Sequence, residues 1–449
     1  MSNGMSTKLP FLSFLFFASG LIASNAFAQP ESVSQDRLVG HWEGTISREG
    51  KNWRTWLDIK QQGDGFQGTA DFPDYGLYAF PVAVRFDEGK VRISVLEGKE
   101  VAEFDAKLND DEMSGQWKGL NMTAAFQISR KQMKPLESYI VEEVQFQNGN
   151  AKMAGTIIRP NKPGRHPAVV FTHGSGNQTR AETFYRSRAY WFARNGIAAL
   201  IYDRRGKGAS TGEGNVTWEN LADDALAGVA MLKTRLGINP KSIGVSGFSQ
   251  GGWVAPLSAT RSKDVAFILV GSAAAISPNE QNDFNVESVL RDKQVPEDRI
   301  KAVMDLRRRV SRFQFGADGD KDELQKQIAA LKNERWFPDT LLNEQIEQFD
   351  TALKVYMTFN PVRAWEQVRV PVLALWGERD LAVPARKSRE IINLALKTSN
   401  ARTYDLREFP KAGHGLSINR EKDEASDFPR LVSGYQELMV AWTQKMVAR

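Results

Sequence analysis

The sequence predicts two folded regions of different class: a small all-β, barrel-like region, and after it an α/β region with a mostly parallel sheet and an inserted helical cap. Three observations predict this. Short alternating strands with hairpin turns fill residues 34–130, strands alternate with helical patterns from residue 139, and residues 277–363 carry charged helical patterns without a strand. At 449 residues the chain also exceeds the length of one ordinary core.

Composition narrows the class of protein. With 41% hydrophobic and 25% charged residues, the chain is typical of a soluble globular protein. The net charge of +5 is small, and no long block of lysine or arginine accompanies it, so we expect no nucleic-acid partner. The absence of cysteine excludes disulfides, a lipid-modified cysteine, thiolate metal sites and a cysteine nucleophile.

The first 28 residues have the pattern of a signal peptide. Lys8 precedes an apolar stretch at 9–22, and Ala-Phe-Ala at 26–28 forms a small-x-small cleavage site. The alternative is an N-terminal membrane anchor, but the interrupted apolar stretch falls short of the roughly 20 residues that a span needs. We therefore expect export to the periplasm or secretion, with no integral membrane span after cleavage.

Residues 34–130 are expected to form about eight short strands joined by hairpins, as in an up-and-down barrel or a strongly curved meander. The predicted strands lie at 40–47, 53–61, 66–72, 77–86, 90–96, 101–108, 112–117 and 121–129. The opening Gly40-His41-Trp42 resembles the Gly-x-Trp of lipocalin-like barrels. A structural or partner-facing role is favoured over a dedicated ligand cup, and His41 is expected to face a turn or pack beside Trp42.

A polar connector at 131–138 leads into the α/β region, which is expected to span 139–449. Strands are predicted first as a hairpin and then in alternation with helices, and the runs at 168–171 and 197–201 are apolar throughout, as burial on both faces requires. The strands are predicted at 139–147, 151–159, 167–172, 197–202, 242–246, 265–270, 370–376 and 403–409. The helices are predicted at 181–195, 218–236, after 249, at 385–397 and at 428–446.

The segment at 277–363 is interpreted as a helical cap, because the sheet resumes on its far side. Its helices are predicted at 297–315, 321–333 and 342–357. Its aromatic residues are expected either to line an acyl or alcohol pocket or to pack between the cap and the sheet. They are Phe313, Phe315, Trp336, Phe337, Tyr356 and Phe359.

A candidate nucleophile lies where the apolar run at 242–246 ends in Gly-Phe-Ser-Gln-Gly. A strand, a sharp turn and a helix start would place Ser249 at the tip of the turn. Gly247 and Gly251 suit such a turn because it leaves no room for a Cβ on either side.

A serine nucleophile needs a base, and the usual base is histidine. The chain has four histidines. His41 lies in the barrel, His166 in a loop before a strand, and His173 at the end of a strand, where it is placed to shape a loop. His414 lies just beyond the last strand between small residues, and it is the predicted base.

The carboxylate that orients the base is predicted to be Asp380, which follows the strand at 370–376. Glu378, two residues earlier, and Asp203, after a different strand, are its rivals. Asp203 precedes the nucleophile in the chain and is expected instead to pin its own Gly-rich loop.

Acyl transfer also needs hydrogen-bond donors for the charge that develops on the carbonyl oxygen. The backbone N–H of Gln250 is one predicted donor, and the side chain of Gln250 need not participate. The second is expected from the turn His173-Gly174-Ser175-Gly176, whose glycines let the main chain approach a substrate. We assign it to the Ser175 N–H, with Gly174 as the alternative.

Ser249, Asp380 and His414 follow one another in the nucleophile-acid-base order of one of three convergent solutions. With these motifs, residues 139–449 resemble the α/β-hydrolase fold of the bacterial group related to dienelactone hydrolases and prolyl-oligopeptidase-like esterases. The motifs are His-Gly-Ser-Gly at 173–176, Tyr-Asp-Arg-Arg-Gly-Lys-Gly-Ala-Ser at 202–210, Gly-Phe-Ser-Gln-Gly-Gly at 247–252, Gly-Glu-Arg-Asp at 377–380 and Gly-His-Gly at 413–415.

The resemblance implies a Ser-Asp-His triad that acts through an acyl-enzyme, with no metal or organic cofactor, on ester or amide substrates. It also implies that a secreted member can carry a β-rich N-terminal domain. We therefore expect a serine carboxylesterase with a small-molecule ester substrate. A small-peptide or amide hydrolase is the alternative, although the chain lacks the β-propeller of true prolyl oligopeptidases. A non-catalytic binding protein on a hydrolase scaffold is disfavoured because every expected catalytic position is occupied.

Overall fold

The computed structural model describes residues 35–97, 99–119, 122–176, 178–212, 216–399, 401, 403–418 and 430–448. It contains a closed eight-stranded barrel followed by an eight-stranded mixed sheet with helices on both faces. The predicted fold class is therefore confirmed. The predicted signal peptide at 1–28 lies outside the described residues. Within the described ranges, none of the helices combines the length and apolar character that crossing a membrane demands.

The barrel is built from consecutive antiparallel hairpins, and it closes because β1 pairs with both β2 and β8. Its strands are β1 Gly40–Arg48, β2 Lys51–Gln62, β3 Gly65–Phe72, β4 Leu77–Asp87, β5 Lys90–Glu97, β6 Lys99–Asn109, β7 Glu112–Gly119 and β8 Met122–Lys131. Side chains along β8 alternate between buried and exposed, as expected when one face of each strand lines the interior.

The barrel interior is an apolar core. Trp42 and Phe104 are fully buried, and the ring of Phe104 meets that of Phe126 edge to face at 5.0 Å. Trp42 donates its indole N–H to the Leu38 carbonyl at 3.0 Å, and the Arg130 guanidinium lies 4.6 Å from the Trp42 ring centre. Burying each large side chain stabilises the fold by about 1.5–3 kcal/mol. Apolar side chains thus fill the barrel interior, where a ligand-binding barrel would hold its ligand.

The second sheet has the strand order β16-β15-β14-β13-β11-β12-β10-β9. The six strands β11 to β16 run parallel, and the leading hairpin β9–β10 adds antiparallel at one edge. The strands are β9 Tyr139–Asn148, β10 Ala151–Pro160, β11 His166–Thr172, β12 Ala198–Tyr202, β13 Ile238–Phe248, β14 Ile268–Gly271, β15 Val372–Gly377 and β16 Tyr404–Phe409; a separate short pair is β17 Ser417–Ile418 and β18 Arg430–Leu431.

Helices cover both faces of this sheet and create a core on each. One core forms under α1 and α10, and the other forms under α2, α3 and α9. Strands such as β12 are buried at every position, in agreement with the apolar run that predicted them. The helices are α1 Thr183–Arg194, α2 Trp218–Lys233, α3 Gly251–Arg261, α9 Ala385–Ser399 and α10 Tyr435–Val447.

Five further helices lie between β14 and β15: α4 Pro278–Asp292, α5 Glu297–Gln314, α6 Lys321–Leu331, α7 Thr351–Met357 and α8 Val362–Trp365. Sequence analysis missed α4, although Ser277 and Glu280 form a capping box at its start. The helix predicted from residue 342 begins only at Thr351, because the Asp350 side chain accepts the Leu353 N–H at 2.7 Å and caps α7 there.

The barrel docks on α1. Tyr78 of β4 stacks on Trp191 with ring centres 4.9 Å apart, and its backbone N–H donates to Ser187 Oγ at 2.8 Å. Near the end of α1, the buried guanidinium of Arg194 pairs with Asp58 at 2.7 Å and with Asp71. These contacts join the barrel to the helix that follows the predicted oxyanion turn.

The expectation for His41 was wrong. Its ring neither faces a turn nor packs beside Trp42; it bonds Asp58 through Nδ1 at 2.7 Å and Glu43 through Nε2 at 3.0 Å, with its edge toward Trp56. Because β1 and β2 pair with His41 opposite Asp58, the strand register brings the two side chains together.

Candidate active site

Ser249 lies in a strained turn between β13 and α3, with a φ of +54° that non-glycine residues rarely adopt. The turn is too tight for side chains on either side. A Cβ at Gly247 would lie 1.9 Å from the Gly251 carbonyl oxygen, and one at Gly251 would lie 2.7 Å from Thr172 Oγ1. The two glycines therefore permit the conformation that presents Ser249 at the carboxyl edge of the sheet.

The structure brings Ser249, His414 and Asp380 into one hydrogen-bonded series. Ser249 Oγ lies 3.0 Å from His414 Nε2, and His414 Nδ1 lies 2.9 Å and 3.0 Å from the two carboxylate oxygens of Asp380. The Asp380 side chain is fully buried, and its Oδ1 also accepts the N–H groups of Ala382 and Val383 at 2.8 Å and 2.9 Å. These amide bonds fix the carboxylate in place.

The loops that carry the acid and the histidine are held together by close backbone packing. A Cβ at Gly377 would lie 2.3 Å from the Ala412 carbonyl oxygen, so only glycine lets the two loops meet. Ser272, directly after β14, donates its hydroxyl to the His414 carbonyl at 2.7 Å. Sequence analysis missed Ser272; its position after a parallel strand was the available signal.

The rival acids are engaged elsewhere. Glu378 accepts the backbone N–H of Lys411 at 2.9 Å. Asp203 is buried and accepts the N–H groups of Arg180 and Ala209 at 2.9 Å and 2.8 Å, besides pairing with the Arg180 guanidinium. Asp203 therefore ties together the loops that follow β11 and β12, which is the pinning role expected of it.

His173 supports the predicted oxyanion turn. Its ring lies against those of Tyr185 and Tyr202, and Nε2 donates to the Tyr202 carbonyl at 2.6 Å. Burial lowers the pKa of His173 to about 4, so the ring is neutral near pH 7. A neutral ring that donates to a carbonyl is suited to holding a loop and not to taking a proton from Ser249.

Two backbone amides near Ser249 have no acceptor among the described residues: those of Gln250, at the start of α3, and Ser175. The N–H of Gly174, the alternative to Ser175, donates to the Tyr185 hydroxyl at 2.6 Å. Burial raises the pKa of Tyr185, so its hydroxyl stays neutral and can accept this bond. Gly174 is thus engaged, while Ser175 and Gln250 retain donors for a ligand.

A cleft of about 540 Å³ opens beside these amides, and its walls include Ser175, Arg204, Gln250 and Tyr356. Tyr356 is the cap aromatic that reaches this cleft. A larger cavity of about 730 Å³ lies on the outer surface of the barrel among charged side chains such as Arg85 and contains none of the predicted site residues. The cleft of about 540 Å³ is therefore the cavity that meets the candidate site, on the side of the Ser175 and Gln250 amides.

The other cap aromatics lie elsewhere. Phe313 and Phe337 pack against the core between α5 and α6, and Trp336 packs against the neighbouring core around α4. Phe315 and Phe359 line a separate cavity of about 490 Å³. Of the two expectations for these residues, packing describes Phe313, Trp336 and Phe337, and their contacts lie within the cap.

This arrangement has the parts that acyl transfer requires. A hydroxyl lies within hydrogen-bond distance of an imidazole, the imidazole is oriented by a buried carboxylate, and the Ser175 and Gln250 amides lie just after two parallel strands, at the same edge of the sheet. Among the described residues, no group of three or more histidine or acidic side chains could hold a metal ion.

The chain is similar to known proteins over different shares of its length. Residues 169–426 match the family described as the alpha/beta hydrolase family. The chain is 25% identical to Esterase EstD of Thermotoga maritima over 350 residues, which are 75% of this chain and 73% of that protein. It is 29% identical to Thiohydrolase aneE of Aspergillus aculeatus over 167 residues, 36% of this chain and 48% of that protein.

Among solved structures, the chain resembles Est1E from Butyrivibrio proteoclasticus with bound ferulic acid, at a TM-score of 0.43 and 17% identity, over 68% of this chain and 100% of that one. It resembles the Pyrococcus furiosus esterase Pf2001 at a TM-score of 0.45 and 18% identity, over 70% of this chain and 92% of that one.

Proposed function

The chain belongs to the alpha/beta hydrolase family, and within that family we propose that it is a serine carboxylesterase that acts on small-molecule esters. The hydrogen-bonded series of Ser249, His414 and Asp380 carries the proposal. The 25% identity to a protein named Esterase EstD over three quarters of the chain supports an ester as the substrate.

In the first half of the proposed reaction, Ser249 Oγ attacks the ester carbonyl carbon while His414 Nε2 takes the hydroxyl proton. The carbonyl oxygen becomes an oxyanion that accepts the N–H groups of Gln250 and Ser175. Asp380 keeps the His414 Nδ1–H in place and stabilises the imidazolium. The C–O bond to the alcohol then breaks, His414 returns the proton to the departing oxygen, and an acyl-enzyme remains on Ser249.

In the second half, water attacks the acyl-enzyme while His414 takes one of its protons. The same two amides hold the new oxyanion. When the bond to Ser249 Oγ breaks, His414 returns the proton to that oxygen and the carboxylic acid leaves. Side chains and backbone amides of this chain supply every group that these steps use.

Covalent labelling tests the nucleophile. A fluorophosphonate probe should label the folded protein on Ser249, and labelling should be lost in Ser249→Ala. Absence of labelling in the folded protein, or undiminished labelling of the alanine variant, would show that Ser249 is not the nucleophile.

A substrate panel tests the bond that is cleaved. Short p-nitrophenyl esters should be hydrolysed with a higher kcat/KM than aminoacyl-nitroanilides, because an amine is the poorer leaving group and needs a site built to protonate it. A clear preference for the anilides would replace the esterase assignment with the alternative, a small-peptide or amide hydrolase.

Export is a separate proposal that rests on residues 1–28, with their positive start, apolar stretch and Ala-Phe-Ala end. The protein recovered from the periplasm or medium of an expressing bacterium should begin at residue 29 by N-terminal sequencing. Recovery in the cytoplasm with the first residues intact would contradict it.

A further inference from the structure

Arg204 contacts the candidate oxyanion turn from the side of the cleft. Its Nη1 donates to the carbonyl oxygens of Gly174 and Gly176 at 3.1 Å and 3.4 Å, and to Gln250 Oε1 at 3.0 Å. One guanidinium nitrogen therefore touches both segments whose amides remain free for a ligand. Sequence analysis assigned Arg204 no role beyond its place in the motif at 202–210.

The carbonyl of Gly174 and the N–H of Ser175 belong to the same peptide unit. Because that unit is planar and trans, the carbonyl and the N–H point in opposite directions. A hydrogen bond that holds the Gly174 oxygen on Arg204 therefore fixes the direction of the Ser175 N–H. The N–H of Gly174 itself donates to Tyr185, so the turn is held on both sides of this peptide.

The charge of Arg204 is not neutralised by a nearby acid. Arg205, its neighbour in the chain and in the cleft, pairs with Asp224, and Arg180 pairs with Asp203. Among the residues that the structure describes, none forms such a pair with Arg204, whose guanidinium contacts the two carbonyls, the amide oxygen of Gln250 and the Tyr356 hydroxyl. A cation on the carbonyl also polarises the peptide and makes its N–H a better donor.

The side chain of Gln250 extends the contact to the cap. Gln250 accepts from Arg204 and donates from Nε2 to the Tyr356 hydroxyl of α7. Tyr356 in turn stacks on Trp218 with ring centres 4.3 Å apart, and Trp218 donates its indole N–H to the Tyr356 carbonyl at 3.0 Å. Aromatic packing therefore holds Tyr356, and with it the hydrogen bond between Tyr356 and the Gln250 side chain.

We propose that Arg204 is a positioning residue for oxyanion stabilisation. It holds the Gly174–Ser175 peptide so that the Ser175 N–H faces the reacting oxygen, and it secures Gln250, whose N–H is the second donor. The proposal rests on the proposed function, because it assigns Arg204 a part in the acyl transfer at Ser249. Arg204 then affects the transition state and not substrate binding, because a neutral ester in its ground state carries little charge on its carbonyl oxygen.

The test is Arg204→Met in the full chain, assayed with p-nitrophenyl acetate. Misdirecting one donor should lower kcat by about tenfold to hundredfold while KM changes little. Affinity for an aliphatic trifluoromethyl ketone, whose adduct with Ser249 carries the oxyanion, should fall by the same factor as kcat/KM. Arg204→Lys should restore part of kcat, because an ammonium can still donate to the carbonyls.

Arg165→Met is the matched control. Arg165 is exposed and directly precedes β11, at the opposite end of that strand from the turn at 173–176. Its replacement makes the same exchange and removes one positive charge from the α/β region, so a general effect of charge would lower kcat there too. We expect the kcat of this control with the neutral ester to match that of the unaltered protein.

Several outcomes would overturn the positioning role: an Arg204→Met protein that folds and keeps its kcat, a loss that falls on KM with inhibitor affinity retained, or an equal loss in Arg165→Met. If Arg204→Met does not fold, as judged by thermal melting, Arg204→Lys is held to the same comparison of kcat with inhibitor affinity. Failure of the unaltered protein to hydrolyse esters or to be labelled at Ser249 would instead refute the proposed function.

Discussion

The protein has one histidine–aspartate pair in the barrel and one in the candidate active site. The Nδ1–carboxylate contact is similar in the two pairs, but their surroundings differ. His41 Nδ1 lies 2.7 Å from Asp58, and His414 Nδ1 lies 2.9 Å from Asp380. The second ring nitrogen makes the difference. In His41 it meets the carboxylate of Glu43 at 3.0 Å, whereas in His414 it meets the hydroxyl of Ser249 at 3.0 Å.

A second carboxylate favours the charged ring. Burial by itself lowers the pKa of His41, but the hydrogen bond and charge of Asp58 and the hydrogen bond of Glu43 outweigh burial, so the net pKa is raised. A protonated ring donates from both nitrogens and has no lone pair with which to accept a proton. His41 is therefore suited to a structural role.

The two carboxylates differ as well. Asp58 also pairs with Arg194, which in turn pairs with Asp71. The additional partners of Asp380 are the neutral amides of Ala382 and Val383. A carboxylate without a fixed cation can stabilise a positive charge that arises on the histidine during a reaction. The two pairs are therefore distinguished by the third group, a second carboxylate for His41 and a hydroxyl for His414, and not by the histidine–aspartate contact itself.

Replacing each of the two histidines by alanine should give the largest difference between the two pairs. In His414→Ala, kcat for p-nitrophenyl acetate should fall about 10⁴-fold or more, because Ser249 then has no base. His41→Ala should keep its kcat and lower the melting temperature, because Asp58 and Glu43 lose their shared partner. Steady-state kinetics and thermal melting of both variants measure this, and a His414→Ala enzyme that retains its turnover would place the base elsewhere.

The next effect concerns Arg194, where the barrel meets α1. Arg194→Met leaves Asp58 and Asp71 buried without their shared cation, which should cost about 3–5 kcal/mol in the free energy of unfolding. The effect is measured by urea unfolding followed by tryptophan fluorescence.

Arg54→Met is its control, since it breaks an exposed pair with Asp74 on the same barrel and should cost about 1 kcal/mol or less. Equal costs for the two variants would mean that the buried cluster contributes no more than a surface pair.

The smallest effect is a pH dependence of stability. Because the pKa of His41 is raised in the folded protein, its contribution is present in full below the unfolded pKa of about 6.5. That contribution is lost as the pH rises through the folded pKa. The melting temperature of the unaltered protein should therefore fall relative to that of His41→Gln as the pH is raised from mildly acidic to mildly alkaline. A constant difference between the two would contradict a charged His41.

Much of the fold follows from local sequence signals. The apolar run at 197–201 predicted β12, since a strand buried on both faces needs apolar side chains throughout. Hairpin turns predicted the barrel strands, and motifs at the ends of predicted strands identified Ser249, Asp380 and His414 as candidates. By contrast, α4 was missed although its capping box was present, and α7 began nine residues later than expected.

The sequence by itself determined where the chain can turn and which strand ends carry reactive side chains, because glycine spacing and apolar periodicity act over a few residues. Only the tertiary structure decided which groups pair. In the folded protein the Gly174 N–H donates to the Tyr185 hydroxyl, Arg204 donates to the Gly174 carbonyl, and Arg194 pairs with Asp58 of the barrel. Hydrogen-bond partners far apart in the chain are selected by packing and strand register, which no short stretch of sequence contains.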